Sequence, residues 1–83
     1  MAKPNISKSD RDDMKEHANA AWWTRPVCWS GIRNDLEAKA LNAEAIARTA
    51  TTNDYWARAA INFSRLAKLA NAMVTFEALE LAK

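Results

Sequence analysis

One glycine and two prolines in 83 residues leave almost no material for the tight turns that link β-strands. A sheet protein is therefore not expected. The single cysteine excludes a disulfide within the chain and fits a reducing compartment. No apolar run approaches the roughly 18 residues of a membrane span. The first twenty residues are polar and charged and lack the apolar stretch of a secretory leader, so the expected location is the cytoplasm. Charge of one sign is also scarce. A net charge of +2 is too mild for a histone-like protein and has the wrong sign for an acidic mimic of DNA.

Chemistry-bearing patterns are equally thin. There is no glycine-rich phosphate cradle and no activated-serine motif. Cys28 and His17 are the lone thiol and imidazole, with no fixed spacing and no third residue to orient them. Cys28, between Val27 and Trp29, reads as a small buried hydrophobe. Asp13 and His17 lie four apart, as metal ligands on one helix face do, but no second cysteine or histidine completes a set. Enzymatic activity, a cofactor, a metal and a small-molecule substrate are all unexpected.

What the chain has is alanine, eighteen residues of it, together with leucine, lysine, arginine and glutamate. These are the strong helix formers, so the fold class expected is all-α. A flexible N-terminal tail is expected over 1–8, followed by one helical domain over 9–83. Ser9-x-x-Asp12 reads as a capping box opening a helix at about 10–23, which Pro26 stops by disfavouring helix at Arg25. Asn34-x-x-Glu37 reads as a second cap, and a helix at about 32–50 follows. Its apolar positions Ile32, Leu36, Ala40, Ala43, Ile46, Ala47 and Ala50 share one face. Thr52 or Asn53 is the expected N-cap of a third helix at about 54–82. So short a connection makes the last two helices an antiparallel hairpin.

The third helix is the longest and carries too wide an apolar face. Its rows (Trp56, Phe63, Ala70; Ala60, Ala67, Val74, Leu81; and the flanking Ala59, Leu66, Met73 and Tyr55, Leu69, Phe76) span about 160°, against the roughly 100° that one packed face needs. Pairing from the hinge places Ile32 near Met73 and leaves the C-terminal turns beyond the second helix. Trp22, Trp23 and Trp29 are the material expected to cover them. A three-helix arrangement that dimerises through any apolar face left over is the architecture predicted.

Two binding surfaces follow. Trp23, Arg25 and Trp29 combine the residue types that anchor protein interfaces, and Phe76 and Leu79 extend the docking face of the third helix. Arg58, Arg65 and Lys68 form a basic face suited to phosphate backbones, with nucleic acid as the alternative partner. The function expected is a small non-enzymatic helical protein that binds a protein partner as adaptor, regulator or inhibitor. In size and character it is like viral or mobile-element inhibitors of host enzymes.

Overall fold

The computed structural model describes residues 3–49 and 54–83. Among them the chain forms α1 (Lys8–His17), a short 3-10 turn (Ala20–Trp23), α2 (Trp29–Thr49) and α3 (Tyr55–Leu81), with no strand. The fold is all-α, as composition demands. Helices α2 and α3 pack along each other as an antiparallel hairpin, and α1 lies across one side of it. The result is an elongated body of 50 × 24 × 20 Å.

The register of the hairpin is the expected one. Arg33 Nη1 donates to Asn71 Oδ1 at 3.0 Å, and Ile32 and Met73 share one core cluster. Met14, Ile32, Leu36 and Leu66 are fully buried, so all three helices feed a single core. Burying each such side chain stabilises by roughly 1.5–3 kcal/mol. Alanine fills much of the α2–α3 seam: Ala40, Ala43, Ala60, Ala67 and Ala70 are all buried. Side chains that short let two helices approach closely.

Three local expectations are corrected. The first helix starts at Lys8 with Ser7 as N-cap, its Oγ accepting from the Asp10 amide at 3.1 Å, where the sequence had suggested Ser9. Tertiary contacts choose between the two serines: with Ser7 as cap, Ile6 is buried at 9 % exposure and Asp10 reaches Arg65. The second correction is that residues 10–23 are not one helix. Ala18 is extended, and Asn19 caps the 3-10 turn by accepting from the Ala21 amide. The Asn19 amide donates out of the helix path to Asp35 Oδ2 at 2.8 Å, and Trp22 Nε1 donates to the same oxygen at 2.8 Å. Thirdly, α2 begins at Trp29, where the Cys28 carbonyl accepts from Ile32, so Asn34 lies inside the helix and caps nothing. The caps expected at Thr52 or Asn53 lie outside the described residues.

Candidate functional site

The aromatic segment is built onto the body of the domain. Trp22 lies flat on Gly31, where a Cβ would fall 2.6 Å from Cε2 and 2.8 Å from Cε3 of the indole. The one glycine of the chain thus admits a tryptophan that Asp35 then pins. Trp23 meets Trp29 edge to face, with ring centroids 5.6 Å apart. Arg11 lies over the Trp29 ring at 5.9 Å and Lys15 over Trp23 at 5.7 Å. Cations over indoles add attraction that grows as water is excluded.

This geometry decides the expected Trp23, Arg25 and Trp29 patch. Trp29 is only 5 % exposed and belongs to the core, so it is not available to a partner. Trp23 is half-buried, and its Nε1 is buried without a hydrogen-bond partner among the described residues. Arg25, followed by a cis peptide bond to Pro26, is exposed. Trp56, which heads one of the apolar rows of α3, is half-buried beside the 65 % exposed Tyr55.

The tryptophans cover part of the C-terminal reach of α3. Trp29 and Met73 are in one cluster, with Trp22, Trp23, Leu69 and Val74 packed against it. At 1.5 Å per residue α3 is roughly 40 Å long against roughly 31 Å for α2, and its last turns remain open. Phe76 is half-buried, Leu79 is 44 % exposed and Leu81 is 88 % exposed.

The basic face is less basic than its sequence. Arg65 forms a two-pronged pair with Asp10, at 3.1 and 2.9 Å, and its Nη2 also donates to Asn62 Oδ1. That guanidinium, first through the hydrogen bond, holds the Asp10 carboxyl below the usual carboxylate range. Arg58 pairs with Asp54 at 2.8 Å. Among the described residues, Lys68 has neither a hydrogen bond nor an ion pair.

The lone imidazole and the lone thiol are held in separate surroundings. His17 stacks edge-on to Phe63 at 4.8 Å, and its Nδ1 lies 3.3 Å from Lys39 Nζ. Cys28 Sγ is 3.6 Å from Ser30 Oγ, a contact that, with the nearby Gly31 amide, lowers the thiol pKa. No hydrogen bond links Cys28 to His17. Among the described residues no three histidine, cysteine or acidic side chains come together as metal ligands.

A second surface was missed by the sequence reading. On the side of the hairpin away from α1, α2 and α3 enclose an open trough floored by Ala47, Ala57 and Ala60 and continuing past Ala40 and Ala67. Leu41 and Ile61 stand along it, 66 % and 70 % exposed. The available signal was that both are large apolar residues lying off the rows assigned to the core. Compared with protein-family models, with curated proteins and with solved structures, the chain matches none.

Proposed function

We propose that this protein acts without catalysis, by docking a protein partner onto the C-terminal end of α3. The observation that carries the reading is the apolar overhang: Leu79, 44 % exposed, stands beyond the end of α2 one turn on from half-buried Phe76. Contiguous exposed apolar surface on a small domain is where partners bind. An amphipathic helix end presents it in a form that a groove or another helix can accept. Adaptor, regulator and inhibitor of a host enzyme are the roles open to a binder of this kind. The pairing of Arg58 and Arg65 with acids weakens the alternative of nucleic-acid binding, leaving Lys68 as the unpaired cation of that face.

The test is capture from a native, nuclease-treated lysate with wild type, Leu79→Asp and a charge-reversed Arg58/Arg65/Lys68 variant. A protein retained by wild type and by the charge reversal, but lost with Leu79→Asp at unchanged helicity, is the expected outcome. Capture lost only with the charge reversal, or a nucleic acid retained at low salt when nuclease is omitted, overturns the reading in favour of the alternative.

A further inference from the structure

The open trough between α2 and α3 has a composition that fits one occupant in particular. Its two rims carry opposite charge over most of their length. Glu37 and Glu44 stand on the α2 side, and Lys68 on the α3 side beside Arg65, whose charge is already met by Asp10. Arg48, on the α2 side, sits at the hinge end of the trough. Among the described residues Glu37, Glu44 and Lys68 have no hydrogen bond or ion pair. Each rim also carries one exposed branched aliphatic side chain, Leu41 on α2 and Ile61 on α3, next to a floor of alanines. The surface therefore holds both knobs and holes, and both signs of charge.

We propose that the trough is the seat of a second copy of this chain. Two hairpins related by a two-fold axis parallel to their helices would close into a four-helix bundle. A two-fold interface is made of one patch meeting itself, so that patch must be self-complementary. The hairpin register set by the Arg33–Asn71 bond places Glu37 and Lys68 at one level on opposite rims. The parallel axis lays α2 of one copy on α3 of the other at unchanged height. Glu37 then faces Lys68 of the second copy, twice per dimer. Leu41 enters beside Ser64 and Ile61 of the second copy, over the alanine floor. An axis perpendicular to the helices would instead stack α2 on α2 and bring Glu37 near Glu44 of the second copy. Like charges facing each other disfavour that packing. An 83-residue chain gains from the arrangement, since small domains bury a limited fraction of their surface alone.

This interface lies along the middle of the hairpin and the α3 overhang at its end, so each proposal has its own variants and its own readout. Sedimentation equilibrium on the full chain reads the outcome. Wild type is expected as a species of twice the 9.3 kDa chain mass. Leu41→Asp and Ile61→Asp are expected to sediment as monomers with unchanged helicity, because both side chains are exposed in the single chain. Glu37→Lys and Lys68→Glu should each raise the dimer Kd about tenfold through two symmetric contacts, and the double exchange should restore it. A wild type that stays at 9.3 kDa up to millimolar concentration overturns the proposal. So does a dimer that persists in both aspartate variants or that the double exchange does not rescue.

Discussion

At the scale of single residues, tryptophan placement is where the fold is most specific. Gly31 is the clearest case. Alanine is the better helix former by about 1 kcal/mol, so propensity alone predicts that Gly31→Ala stabilises α2. The indole of Trp22 occupies the space the methyl needs and is held there through Nε1 by Asp35. Crowding of this kind costs about 1–3 kcal/mol, so the clash outweighs the propensity and the variant should melt at lower temperature than wild type. A higher melting temperature would show that Trp22 is free to move aside. Trp29 and Trp23 make a second pair. Trp29→Ala removes a core ring and should cost about 3–5 kcal/mol. Trp23→Phe keeps an aromatic edge against Trp29 and removes a buried donor that has no acceptor among the described residues. Since an unmet donor is itself costly, by about 1–3 kcal/mol, that variant should stay within about 1 kcal/mol of wild type in urea unfolding.

At the scale of elements, the attachment of α1 to the hairpin has an electrostatic component with a defined pH dependence. The Asp10 carboxyl is depressed by Arg65 in the folded chain. A group with a lowered folded pKa contributes its stability above its unfolded value, near 3.9, and loses it as pH falls through the lower folded value. Wild type should therefore lose this contribution only below about pH 4. Asp10→Asn should be less stable than wild type at neutral pH, with the difference vanishing at the acid end of the titration. Equal differences at pH 7 and at the acid end would show that the pair contributes nothing through charge. Because Asp10 sits in the first turn of α1, it also complements the positive end of that helix, and Arg65→Gln separates the two effects. In this variant Asp10 keeps its place at the helix end and loses only its partner on α3.

At the scale of the whole molecule, the division of surfaces follows from helix length and from the one-sided placement of α1. The N-terminal helix and the 3-10 turn cover one side of the hairpin and bury Met14 against it. The opposite side keeps its trough, and α3 keeps its overhang. Two apolar surfaces on one 83-residue chain give two separable behaviours. Aspartate at Leu41 or Ile61 is expected to change mass, and aspartate at Leu79 to change partner capture. Leu66→Ala serves as the contrasting core variant. Its side chain is fully buried, so it should cost about 2–5 kcal/mol and reduce both behaviours by unfolding the chain. Circular dichroism distinguishes that loss from a surface effect.

The sequence by itself determined the all-α class, the α2–α3 hairpin and its register. Alanine and the scarcity of glycine and proline act through local propensity, and the three-and-four spacing of Ile32, Leu36, Ala40 and Ala43 acts through one helix face. Both are properties of contiguous residues and need no knowledge of neighbours. The excess width and length of α3 were legible for the same reason, and they pointed to Phe76 and Leu79, of which Leu79 is exposed and Phe76 half-buried. Tertiary structure alone decided which serine caps α1, why residues 10–23 break at Asn19, and which tryptophan is core. Each of these depends on a partner distant in sequence: Arg65 for Asp10, Asp35 for Asn19 and Trp22, and Met73 beside Trp29 in the core. The same is true of the basic face, whose charges are a matter of composition but whose pairing is a matter of contact. Leu41 and Ile61 stand apart because an apolar residue off the core face has no meaning until the fold shows that α1 covers only one side of the hairpin.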